Sequence, residues 1–112
     1  MPKPAQRPTS RYSRNAVILL GQIIRQARIE KKLTTGELAE RAGISRGLVQ
    51  RIEKGDPGCA IGAVFEAATI VGVWLFDPDK AAMANTMSVS SKTLALLPKA
   101  SRAPKIKVRD DF

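Results

Sequence analysis

Residues 33–55 read LTTGELAERAGISRGLVQRIEKG. This stretch decides the fold because it carries the start and stop signals of two short helices at close spacing. Thr34 can cap the first, and Glu37 three residues on completes a capping box, in which hydroxyl and carboxylate each satisfy a backbone N–H that the first turn leaves free. Leu38, Ala39 and Ala42 then fall on one helical face. Gly43 stops that helix in a left-handed conformation that other residues adopt only at a cost. Ile44 is placed to pack under the turn. Ser45 can cap a second helix reaching about Lys54, with Val49 and Ile52 turned to the core and Leu48 beside them. Gly55 ends it, and Asp56-Pro57-Gly58 makes a turn. Ala39 matters because a larger side chain there would wedge the two helices apart.

Outward from this pair, Val17, Leu20, Ile24 and Ala27 recur at three- and four-residue intervals, which predicts a preceding helix from about Ala16 to Lys32 with Ser13 as its N-cap. Arg25, Arg28, Lys31 and Lys32 load its C-terminal half, where the helix dipole favours cations. On the other side a helix is predicted over residues 61–71, with Ile61, Val64, Phe65, Ala68 and Val71 as its buried stripe. Gly72 terminates it. Val73-Trp74-Leu75-Phe76 is a short apolar run, and Asp77-Pro78-Asp79 reads as another helix start. Apolar residues continue through Ala82, Met83 and Met87, Ser88 to Ser91 interrupt them, and Leu94 to Leu97 form at most one further turn before Pro98. The organisation expected is all-α: a flexible basic arm over residues 1–13, a helical domain over 14–77, a helical extension over 78–97 and a basic disordered tail over 98–112.

Composition narrows the function. The chain has 112 residues and a net charge of +9, enough for one small domain with modest extensions. The charge is uneven: residues 1–14 carry four basic and no acidic side chains, 15–77 carry eight basic and seven acidic, and 78–112 carry seven basic and three acidic. A nearly neutral middle with positive ends attracts polyanions at long range, or simply keeps a small protein in solution. There is no histidine, which removes histidine-based zinc sites, catalytic triads and imidazole bases. The few carboxylates stand beside basic residues at helical spacing, so neither an enzyme nor a cofactor is expected. Cys59 is the only cysteine. The chain therefore has no internal disulfide and suits a reducing cytoplasm. No apolar stretch approaches the roughly 18 residues of a membrane span, and the Pro-rich basic start is unlike a secretory signal.

The outer face of the second helix carries Arg46, Gly47, Gln50 and Lys54, with Arg51 at its edge. Arg can grip guanine O6 and N7 with two hydrogen bonds, and Gln can do the same for adenine N6 and N7. A helix carried in this way fits a major groove about 12 Å wide. Thr35 and Ser45, near helix N-termini, suit phosphates, as does Lys54. A two-helix unit with a polar outer face is also common in helical domains that bind no nucleic acid, and spacing by itself leaves both readings open.

The stretch from Leu20 to Leu75 resembles the Cro/C1-type (XRE) helix-turn-helix family. The resemblance is carried by Leu20-Gly21, Ile24-Arg25, Arg28, Leu38-Ala39, Gly43-Ile44-Ser45, Val49, Ile52-Glu53, Gly55, Val64, Ala68 and Gly72-Val73. It implies a five-helix, lambda-repressor-like domain that binds double-stranded DNA. It also implies that Arg28 and Glu53 form an internal ion pair and that Arg46, Gly47, Gln50 and Arg51 face the bases. Gly47 departs from the pattern by offering no side chain. The tail, from Leu94-Ala-Leu-Leu-Pro-Lys99 through Arg102, Pro104 and Lys105 to Val108-Arg-Asp-Asp-Phe112, looks like the end of HipB-like antitoxins encoded beside HipA-type kinases. That likeness implies a homodimer that represses its own operon at a palindromic operator and restrains a Ser/Thr kinase toxin in a bacterial cytoplasm. A dimer contact is expected around Trp74, Leu75 and Phe76, which could equally close the core. A stand-alone regulator and a protein-bridging module on the same fold are the competing readings.

Overall fold

Helix α1 (Arg11–Glu30) starts before the apolar periodicity does. Its cap is Ser10, whose hydroxyl accepts from the Ser13 N–H at 3.1 Å. Ser13 is therefore in the first turn, not the cap expected of it, and residues 11–13 belong to a helix where a flexible arm was predicted. The apolar pattern missed this turn because none of its side chains reaches the core. The computed structural model describes residues 9–99. The first eight residues of the expected arm and all but two of the expected tail lie outside the described part.

The remaining helices are α2 (Thr35–Ala42), α3 (Arg46–Glu53), α4 (Ile61–Ile70) and α5 (Lys80–Leu96), and the described residues contain no strand. Over the described residues the fold is all-α, with five helices. The chain divides into two compact units, one ending at Val73 and the other beginning at Trp74. Four helices thus fall in the unit that holds the quoted stretch. The fifth lies in what the sequence presents as an extension.

In the first unit α2 packs on α3 and α4, and α1 packs on α3. Ile24, Leu38 and Val49 are completely buried, joined by Ala39, Ala42, Ile52, Ala67, Ala68 and Val71. Each of the three large side chains stabilises the fold by about 1.5–3 kcal/mol relative to exposure. The expected stripe of α4 shifts: Ile61 is 74% exposed and Ala67 is buried instead. Core contact along this helix begins at Ala63 and Val64. No side chain caps its start at Ala60.

The four helices end alike. At each C-terminus one residue is left-handed: Lys32, Gly43, Gly55 and Gly72. Its N–H and that of the next residue turn back onto the last carbonyls, as in Gly55 N to Ile52 O at 3.0 Å and Asp56 N to Arg51 O at 3.1 Å. This satisfies acceptors the helix itself leaves open. The residue after the left-handed one drops an apolar side chain onto the core at Leu33, Ile44 and Val73.

In the second unit Asp79 caps α5 through the Ala81 N–H at 3.2 Å. The helix runs unbroken through Ser88–Ser91, where the sequence predicted an interruption. Serine in a helix costs only about half a kcal/mol relative to alanine, and no proline or glycine falls within the segment. Hydroxyls that could compete with the backbone are spent inside the helix: Thr86 and Thr93 donate to the Ala82 and Val89 carbonyls at 3.0 and 2.9 Å. No residue of α5 is buried.

Candidate nucleic-acid interface

The α2–α3 pair forms as its signals dictate. Thr34 and Glu37 make both bonds of the capping box, each at 3.0 Å. The Thr34 N–H, and after it the Thr34 side chain, hold the Glu37 carboxyl below its usual pKa. Gly43 turns the chain with φ 69°. Ser45 then caps α3, its hydroxyl accepting from the Leu48 N–H at 3.0 Å. That use engages the oxygen as acceptor, and among the described residues nothing accepts from its O–H.

With Val49 and Ile52 buried, α3 has its opposite face in solvent. Arg46, Gly47, Gln50 and Arg51 are all exposed. Among the described residues nothing pairs with the Arg46 guanidinium or the Gln50 amide, so both keep their full donor sets for an external partner. Gly47 leaves a gap in the row. Lys54 is at the C-terminal end of α3 and Thr35 is at the start of α2, and both line one notch with Gln50.

Arg51 differs from its neighbours. Its Nε donates to Asp56 Oδ2 at 2.8 Å, while Asp56 Oδ1 accepts from the Gly58 N–H at 2.8 Å. Asp56 thus ties the last turn of α3 to the turn that follows. The Arg51 guanidinium, and after it the Gly58 N–H, hold the Asp56 carboxyl below its usual pKa. The tie persists at neutral and mildly acidic pH and is lost as pH falls through that depressed value.

What fixes the pose of α3 is the contact with α1. Arg28 Nε donates to Glu53 Oε2 at 2.6 Å and its Nη2 to Oε1 at 2.9 Å, a two-pronged pair, while its Nη1 donates to the Leu33 carbonyl at 2.8 Å. The two side chains are only 12% and 7% exposed. The bond to Glu53 raises the Arg28 pKa. The internal pair implied by the family resemblance is therefore formed. Beside it lies a contact that periodicity did not reveal. A Cβ on Gly21 would fall 2.4 Å from the Ile52 carbonyl oxygen, and one on Gly55 2.7 Å from the Ile18 Cα. The two backbones meet at these glycines. The one signal available in the sequence was a glycine in mid-helix, a position that costs about 1 kcal/mol relative to alanine.

Trp74, Leu75 and Phe76 belong to the second unit and are 55%, 40% and 65% exposed. Among the described residues no group of three or more His, Cys, Asp or Glu could hold a metal ion, and no helix is long and apolar enough to cross a membrane.

A model of the helix-turn-helix domain family matches residues 19–74, half of the chain. No curated protein matches it in sequence. The matched span begins in α1, contains the α2–α3 pair with the Arg28–Glu53 brace and ends just past α4. The chain belongs to the helix-turn-helix domain family, which supports a DNA-binding role for this unit.

Proposed function

We propose that this protein is a sequence-specific transcriptional repressor that reads duplex DNA with α3. The observation that carries this reading is the exposed Arg46–Gln50 face, whose hydrogen-bonding groups have no partner within the described residues. Arg46, Gly47, Gln50 and Arg51 meet base edges in the major groove, and Thr35, Ser45 and Lys54 meet phosphates. In this reading Arg51 exchanges Asp56 for DNA or keeps it and packs beside the bases. The protein works as a homodimer that sets two α3 helices in successive major grooves of a palindromic operator. Trp74, Leu75 and Phe76 supply the contact, since an apolar run this exposed gains most from a second copy.

The test is binding to a duplex enriched from a randomised pool. Arg46→Ala should weaken binding to the enriched duplex by about 1–3 kcal/mol and leave binding to random duplex nearly unchanged. Equal losses on both would remove Arg46 from base reading.

The finer reading is a HipB-like antitoxin that represses its own operon and restrains a HipA-like Ser/Thr kinase in the bacterial cytoplasm. The likeness of the tail from Leu94 onward supports it. Removing residues 99–112 should weaken co-purification with a kinase encoded next to this gene while leaving the fold intact. Full retention of the kinase by the truncated chain would remove the tail from kinase binding, and failure of the full chain to co-purify with a neighbouring kinase would leave a stand-alone regulator as the better description.

A further inference from the structure

Arg46, Gln50, Arg51 and Lys54 are all exposed, yet among the described residues only Arg51 pairs with another side chain. Its partner, Asp56, is itself fixed at three points. The Asp56 N–H donates to the Arg51 carbonyl at 3.1 Å, its Oδ1 accepts from the Gly58 N–H at 2.8 Å and its Oδ2 accepts from Arg51 Nε at 2.8 Å. Arg51 thus meets Asp56 through main chain and side chain together. A Cβ on Gly58 would lie 3.2 Å from Asp56 Oδ1 and 3.5 Å from Arg51 Nη2, so the guanidinium reaches back to the turn. Holding one edge leaves the other open. Arg28 uses all three of its nitrogens, Nε and Nη2 on Glu53 and Nη1 on the Leu33 carbonyl. Arg51 uses Nε alone, and among the described residues neither of its Nη groups donates to anything.

The open Nη1–Nη2 edge is a planar pair of donors, which matches O6 and N7 of guanine. An arginine without a partner serves a phosphate as well as a base, and every duplex offers phosphates. Asp56 opposes that use in two ways. Its charge offsets that of Arg51 at long range, and its hold on Nε removes rotamer freedom that an arginine otherwise loses on binding. The pair is too exposed to add much to stability, so its effect falls on the interface. We propose that Asp56 is a positioning residue for specificity: it holds Arg51 by Nε in the DNA complex, so that the two Nη groups read a guanine instead of a phosphate. The inference rests on the reading of α3 as the duplex-reading helix and chooses between the two courses open to Arg51 there.

The experiment is fluorescence anisotropy with the enriched duplex and with a duplex of random sequence, each across a salt series. The proteins are wild type, Asp56→Asn, Arg51→Ala and the double variant, each checked for folding by circular dichroism. Asp56→Asn should lower the ratio of enriched to random affinity roughly five- to thirtyfold, within the range of one bidentate base contact. It should also steepen the slope of log K against log salt on random duplex by about 1, because the released guanidinium displaces a counterion. In the Arg51→Ala background the same change should leave the ratio unaltered. Replacing single guanines of the enriched duplex by 7-deazaguanine, which lacks the N7 acceptor, should reveal one position that weakens wild type and leaves Arg51→Ala unaffected. A scan with no such position overturns the proposal whatever Asp56→Asn does. It is overturned too if Asp56→Asn keeps the wild-type ratio while Arg46→Ala loses the enriched duplex, a result that spares the reading of α3. An equal fall in ratio with Arg51 present or absent would overturn it by making Asp56 act through another group. Failure of the wild-type protein to favour any duplex would remove the α3 reading itself.

Discussion

Gly21→Ala is expected to destabilise the helix-turn-helix unit by about 1–3 kcal/mol, the cost of overpacking a close contact, although alanine is the better helix former by about 1 kcal/mol. The two effects oppose each other, and geometry decides which wins. The added methyl would stand 2.4 Å from the Ile52 carbonyl oxygen and 3.0 Å from that of Glu53. Both are backbone atoms of α3, so no flexible side chain can move aside. Relief requires that α1 and α3 separate, which also pulls Arg28 from Glu53. In a domain of this size each kcal/mol lowers Tm by about 4–8 °C, so the loss is readable by thermal or urea denaturation. Gly21→Val should cost more, since the second branch meets the same carbonyls. A Gly21→Ala protein as stable as wild type, or more so, would mean that propensity prevails and that the two backbones do not meet here. DNA affinity should fall together with stability, because the displaced helix is the one that carries Arg46 and Gln50.

Glu53→Ala should cost about 3 kcal/mol, the lower end for breaking a buried pair, because Arg28 would keep its charge with only a carbonyl as partner. The lower end is appropriate because the pair retains 12% and 7% side-chain exposure. The double variant Arg28→Met, Glu53→Leu should recover most of the loss, since an apolar pair leaves no stranded charge. Urea denaturation of the three proteins is the measurement. Equal stability of the single and double variants would show that the cost does not lie in an uncompensated guanidinium. The Arg51–Asp56 pair is the internal contrast. It has similar bond length but half-exposed side chains, so Asp56→Asn should hardly change stability. Its consequence should be in binding, because it releases a guanidinium at the edge of the interface.

Gly21 marks where sequence reading stops, whereas the Arg28–Glu53 pair was implied by the family resemblance. The α2–α3 unit was legible because its signals are local. A capping box spans four residues, a left-handed stop needs one glycine, and a buried face repeats within two turns. The same logic placed Arg46 and Gln50 outside by placing Val49 and Ile52 inside. It failed where a segment's state depends on something other than apolar repeat. The first turn of α1 has a cap but no core residue, Ile61 keeps the rhythm of α4 without core contact, and Ser88–Ser91 look like a break only if polarity is taken for a stop signal.

By itself, then, the sequence determined α2 and α3, their caps and stops, and the outward face of α3, since each follows from contacts among residues a few positions apart. Only the tertiary structure decided that Gly21 sets the distance between α1 and α3, that Asp56 engages Arg51 and that Thr35 shares a notch with Gln50 and Lys54. Those facts depend on residues distant in the chain or on how a loop folds back. Backbone separation and the position of a charge in space have no periodic signature, and they emerge only when the helices are packed.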